Sequence, residues 1–164
     1  MKTVMFYFSG TGNSKYIAQL FSENMNCKCI NIENNTGFSD IINNSDTIAF
    51  CYPIYGSRPP RIMREFVIKH KNCLVGKKLI IFCTQMLFSG DGARSLTDSL
   101  KDIKYEIIYA EHFDMPNNIN NFFLFPIYSE NKNEKCYAKA REKIDKVCAD
   151  ISNGKIKKRG INIF

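Results

Sequence analysis

The sequence predicts an α/β protein built on a five-stranded parallel sheet with helices on both faces. Five short apolar runs recur along its 164 residues, mostly apolar at consecutive positions, as strands buried on both faces require. Between them, apolar residues recur every three or four positions, and strands alternating with helices in this way form parallel sheets. The first run also ends in Ser9-Gly10-Thr11-Gly12-Asn13-Ser14, a loop with no charge and almost no bulk.

The elements follow in order. Thr3–Phe8 is the first strand, and Ile17, Leu20, Phe21 and Met25 mark the helix after it. Lys28–Ile32 is the second strand, followed by a polar connection with room for one helical turn. Thr47–Tyr52 is the third. Pro59 or Pro60 is placed to open a helix whose buried face is Ile62, Met63, Phe66 and Val67. Gly76 ends that unit before the fourth strand, Lys78–Thr84. Leu96, Leu100 and Ile103 mark the next helix, and Tyr105–Ala110 is the fifth strand. Residues 112–133 break the rhythm. Tyr137, Ala140, Ile144, Val147, Cys148 and Ile151 then define a final helix, with Gly154 as its stop signal. One domain is expected over residues 1–153, followed by a basic tail or linker at 154–164.

Composition narrows the function. The chain is 45% hydrophobic and 24% charged, ordinary for a globular domain, and no apolar run is long enough for a membrane span. The net charge is +7, of which Lys155, Lys157, Lys158 and Arg159 supply four. The body, with 19 basic and 16 acidic residues, is too mildly charged for a nucleic-acid footprint. Seven cysteines show no disulfide framework or metal spacing, which suits a reducing cytoplasm. His70 reads as part of a solvated helix end, and His112 as the close of the fifth strand. Six residues separate Cys51 from Arg58, one more than separate the cysteine and arginine of low-molecular-weight tyrosine phosphatases, and Cys51 lies inside a strand.

Open parallel sheets bind ligands beyond the carboxyl ends of their strands, where the strand order reverses. That rule selects the loops after the first, third and fourth strands. In the first, glycines let the backbone approach an anion, the following helix aims free N–H groups at it, and Ser9, Thr11 and Ser14 add hydroxyls. The loop lacks G-x-x-x-x-G-K-[ST] and G-x-G-x-x-G, so it suits a single phosphate monoester better than a triphosphate or a dinucleotide. A serine-capped glycine turn is the plain alternative. The second loop, Tyr52 to Pro60, offers Tyr52 and Tyr55 to a flat ring, with Gly56 allowing backbone conformations closed to other residues. The third, Thr84 to Gly92, brings apolar groups, hydroxyls and two glycines. A phosphate cradle facing two such loops describes a site for flavin mononucleotide (FMN).

The first loop resembles the phosphate loop of flavodoxins, Ser/Thr-x-Thr-Gly-x-Ser/Thr, matched by Ser9, Thr11, Gly12 and Ser14. FSGTGNSKYIA, YPIYGSRPPRIMREFV, TQMLFSGDGA and MPNN are together similar to the flavodoxin half of bacterial flavodoxin–ferredoxin fusion proteins, in the right order along essentially the whole chain. The resemblance implies a flavodoxin-like three-layer sandwich with strand order 2-1-3-4-5. It implies FMN phosphate binding by Ser9, Gly10, Thr11, Gly12, Asn13 and Ser14. The ring would be framed by Pro53, Ile54, Tyr55 and Gly56 and by Thr84, Gln85, Met86, Phe88, Ser89 and Gly90. It further implies that the Tyr55–Gly56 peptide turns its carbonyl toward N5–H of the reduced ring.

Two departures stand out. The ferredoxin cysteine clusters of the fusion family are missing here, and so is any tryptophan to stack on the ring, a part left to Tyr55 or Phe88. The expected function is electron transfer through FMN, to or from a ferredoxin-type iron–sulfur domain or partner, in preference to a self-sufficient oxidoreductase. Alternatives are an NAD(P)H-dependent flavin or quinone reductase on the same fold and a non-redox module for another phosphate ligand. The apolar stretch Asn120–Tyr128 reads either as minor core or as a docking patch for the redox partner.

Overall fold

Six strands, all parallel, run in the order 2-1-3-4-5-6 in a computed structural model that describes residues 2–34, 36–86, 92–116 and 129–161. They are β1 (Thr3–Tyr7), β2 (Lys28–Asn31), β3 (Thr47–Pro53), β4 (Lys78–Gln85), β5 (Glu106–Asp114) and β6 (Lys157–Lys158). The helices are α1 (Asn13–Asn24), α2 (Phe38–Asn43), α3 (Arg61–Lys69), α4 (Gly92–Thr97) and α5 (Glu130–Ser152). Among the described residues no helix is long and apolar enough to cross a membrane.

Alternate residues of the central strands point to opposite faces, and both faces are apolar. Phe6, Phe50, Tyr52 and Ile81 pack under α2, α3 and α4 with Ile42, Met63, Phe66 and Leu96. Met5, Ala49, Ile80 and Phe82 pack under α1 and α5 with Ile17, Phe21, Ile144 and Val147. Continuous apolar runs are therefore what the sheet demands, and the expected strands lie within a residue or two of the observed ones. The fifth is the exception. It continues through Glu111, His112 and Phe113 to Asp114, because Glu111 and His112 are buried there and Glu111 meets three cations.

The expectation of five strands is corrected to six. Lys157 and Lys158, in the segment read as a tail, pair with Tyr109 and Ala110. Glu111 holds them there. It is 1% exposed and receives Lys157 at 2.5 Å, Arg159 at 2.9 Å and Lys143 of α5 at 3.1 Å, together with the His112 amide. Burial alone would push its carboxyl up. The bonds from Lys157, the His112 amide and Lys143 outweigh that and hold it at about 2. The reading of His70 as solvated is also corrected. Its ring is 7% exposed, packs against Phe38 and Phe66, and bonds to Ser39 Oγ at 3.1 Å. Burial, then Lys69, pushes its pKa down.

The reversal in strand order lies between β1 and β3. The chain leaves β1 toward β2 on one side, and leaves β3 toward β4 on the other. The crevice this creates opens at the carboxyl ends of β1 and β3.

Candidate functional site

A cleft of about 340 Å3 occupies that crevice. It is lined by Ser9, Gly10, Thr11, Asn13 and Ser14 of the first loop, Pro53, Ile54 and Tyr55 of the second, and Thr84, Gln85 and Met86 of the third. All were anticipated from the sequence. Gly12 and Gly56 shape the turns beside them, and Phe88, Ser89 and Gly90 lie outside the described residues, as does Asn120–Tyr128. A roomier cleft, about 430 Å3, sits at the amino ends of β1 and β2, beside Lys2 and Lys28. That is the wrong edge of a parallel sheet for a ligand.

The first loop is built to present main chain. Gly12, at φ 96°, is the N-cap of α1 and brings no side chain to occupy the first-turn N–H groups, and that turn carries no acid. Its own amide donates to Ser9 Oγ at 3.1 Å, which keeps the loop tight and leaves the Ser9 proton to donate elsewhere. A Cβ on Gly10 would come 2.7 Å from the Tyr55 hydroxyl, so any side chain at residue 10 would make the Tyr55 ring shift from its place over the first loop. The positive end of a 12-residue helix, hydroxyls and bare backbone together make an anion cradle.

Ser14 and Thr84 are buried, and their hydroxyls lie 2.7 Å apart, which ties the first loop to the third. With Thr84 donating, Ser14 keeps its proton for an anion in the cradle. The Cys51 thiol donates to the Ser14 carbonyl at 3.3 Å and so steadies the same turn from below. Burial pushes that thiol well up, so it stays protonated and is unsuited to phosphatase nucleophilic chemistry. Asn13 works as a brace. Its Nδ2 donates to the Pro116 carbonyl at 2.9 Å, and its Oδ1 accepts from Tyr137 of α5 at 3.3 Å, so its side chain ties the first loop to the segment after β5 and to α5.

In the second loop, Tyr55 and Arg58 exchange backbone hydrogen bonds of 3.0 and 3.1 Å across Gly56 and Ser57. Both central residues have positive φ, 54° and 65°, the signature of a type I′ turn. Glycine adopts this readily, whereas serine is strained there. Ser57→Gly is therefore expected to stabilise the protein by about 0.5–1 kcal/mol, read as a rise in Tm of about 1–4 °C. An unchanged or lower Tm would contradict that strain. Tyr55 itself is 48% exposed, with its ring at the mouth of the cleft. In the third loop, Gln85 donates to Asp114 Oδ1 at 2.8 Å, and its carbonyl accepts from the Met115 amide at 2.7 Å. Asp114, Pro116 and Tyr137 were not anticipated as supports. Each contact joins positions too far apart in sequence to leave a local signal.

Comparison with known proteins agrees with this architecture. The family model described as a flavodoxin domain matches residues 4–124. No curated protein matches the chain. Among solved structures, Fusobacterium nucleatum flavodoxin bound to flavin mononucleotide superposes with a TM-score of 0.64 at 17% identity, over 96% of this chain and all of that one. Two-electron reduced Megasphaera elsdenii flavodoxin gives 0.61 at 20% identity, over 86% and 98%. A Lactobacillus acidophilus flavoprotein in complex with FMN gives 0.57 at 16%, over 68% and 92%. At such identities these neighbours speak to the fold alone.

Proposed function

Because the chain belongs to the flavodoxin domain family, we propose that it binds FMN in the β1/β3 crevice and passes electrons to and from a redox partner. Membership of the flavodoxin domain family supports an FMN-binding redox protein, and two solved proteins of the same fold carry FMN. The observation that carries the proposal is the composition of the cleft: an uncharged cradle at the start of α1 on one side, Tyr55, Pro53, Ile54 and Met86 on the other. A phosphorylated tail fits the first half, and a flat ring fits the second.

When bound, FMN supplies the redox chemistry, in steps of one or two electrons. The chain supplies position. The backbone of residues 10–14 and the hydroxyls of Ser9, Thr11 and Ser14 hold the phosphate, while Tyr55 covers the ring in place of a tryptophan. The Tyr55 carbonyl accepts from the Arg58 amide in this structure. Turning that carbonyl toward the cleft would exchange this bond for one to a donor on the bound ring, at a net cost of about 1 kcal/mol or less. Seven free cysteines suit a reducing, cytoplasmic setting, and the partner in this reading is a ferredoxin-type iron–sulfur protein.

The test is an absorption spectrum after incubation with excess FMN and desalting. A retained flavin spectrum with a 1:1 stoichiometry is expected. A colourless protein under those conditions overturns the reading.

A further inference from the structure

A second cleft, of about 440 Å3, lies beyond the returning limb of the Tyr55–Arg58 turn and shares no residue with the first. It gathers Arg58 from the turn, Arg64 from the second turn of α3 and Arg94 from the first turn of α4, with the hydroxyl residues Ser57, Ser95 and Ser99. Asp98 is the one carboxylate among the described residues that line it, and Lys101 already pairs with that at 2.9 Å. Glu65, the acid next to Arg64 in sequence, is taken by Arg61 at 2.5 Å.

Among the described residues, Arg58 and Arg64 make no side-chain ion pair. The Nε of Arg64 is out of solvent with no hydrogen-bond partner there. A buried guanidinium N–H without an acceptor costs about 1–3 kcal/mol, and like charges drawn together cost more. Surface charge placed for solubility alone spreads out. This cluster converges on one concavity at the same edge of the sheet as the first cleft.

We propose that the Arg58–Arg64–Arg94 cleft is a binding site for a phosphoryl group. Arginine points to phosphate because its planar fork matches two phosphate oxygens at once, with serine hydroxyls to complete the shell. The contrast with the Ser9–Ser14 loop is chemical. That loop offers neutral donors and bare backbone, whereas this cleft offers fixed charge. The site thus goes beyond the flavin reading and does not depend on it. The phosphate can arrive free or as part of a nucleotide.

The experiment follows the arginine Nε–H resonances of the 15N-labelled protein by NMR, in chloride buffer, during titration with inorganic diphosphate to about 10 mM. Saturable shifts at Arg58, Arg64 and Arg94 are expected, and either Arg64→Gln or the exposed Arg58→Gln should weaken binding by about tenfold. Using both variants keeps the test valid if Arg64→Gln impairs folding. A parallel titration with adenosine 2′,5′-bisphosphate identifies the source: at least tenfold tighter binding indicates a nucleotide ligand, and equal binding a free anion. Shifts confined to the Gly10 and Gly12 amides, shifts reproduced by sodium chloride at equal ionic strength, or full affinity in both variants overturn the proposal. Flavin absorbance of the same samples reports on the first cleft separately, so failure of one reading is not confused with failure of the other.

Discussion

Thr11→Asp is expected to lower FMN affinity at least about 100-fold while leaving the apoprotein's stability within about 1 kcal/mol. Thr11 is an exposed residue of the cradle, one position before the N-cap of α1. A carboxylate there stands close to where the phosphate belongs. Two like charges about 4 Å apart, at the effective dielectric of a protein surface, repel by about 4 kcal/mol, more than enough for a hundredfold loss. The same carboxylate sits well for the apoprotein, because negative charge near a helix N-terminus stabilises it slightly. Thr11→Val separates the two effects. It removes one hydroxyl and adds no charge, so the loss should be about five- to tenfold. Isothermal titration with FMN and thermal melts of both apoproteins provide the check. If Thr11→Asp binds FMN as the wild type does, the phosphate lies elsewhere and the assignment of the first loop fails.

The parts of this molecule that the sequence made legible are those with local causes. β1, β3 and β4 are apolar at consecutive positions because both faces are covered, and that pattern survives without any tertiary knowledge. The three cleft loops were legible because glycines, hydroxyls and aromatic residues cluster within a few positions at strand ends. The less legible features depend on distant partners. Glu111 and His112 look like the end of a strand until Lys143, Lys157 and Arg159 are seen to surround them. β6 is a pair of lysines, with no apolar signal at all. His70 looks solvated beside Lys69 and Lys71, and its burial depends on Phe38 and Ser39, which come from another helix. The braces of the site, such as Asn13 with Pro116 and Tyr137, and the convergence of three arginines on the second cleft are likewise products of the fold.

The Glu111 cluster should set the acid stability of the protein. Glu111→Gln is expected to cost about 2–3 kcal/mol at pH 7, a fall in Tm of about 4–12 °C. The full penalty for breaking a buried ion pair does not apply, because Lys143, Lys157 and Arg159 have side chains 31%, 43% and 47% exposed and can turn to water. The pH dependence follows from the direction of each shift. The Glu111 carboxyl, held at about 2 in the fold, would titrate near 4.3 in the unfolded chain. Its contribution is therefore complete above about pH 5 and fades as the pH falls toward 2, so wild type and Glu111→Gln should converge in that window. His112 acts earlier. Burial, then Arg159, lowers its pKa to about 4, so the unfolded chain binds a proton that the fold refuses from about pH 6.5 downward. Both forms should lose stability there, Glu111→Gln somewhat more steeply, because the Glu111 carboxylate raises the His112 pKa in the wild type. A difference between wild type and variant that stays constant down to pH 2 would show that Glu111 is not ionised in the fold. FMN affinity should hardly change in Glu111→Gln, because β5 is two strands away from the β1/β3 crevice. Thr11→Asp and Glu111→Gln thus separate the two roles of charge here: at the cradle it governs binding and leaves stability alone, and at the sheet edge it does the reverse.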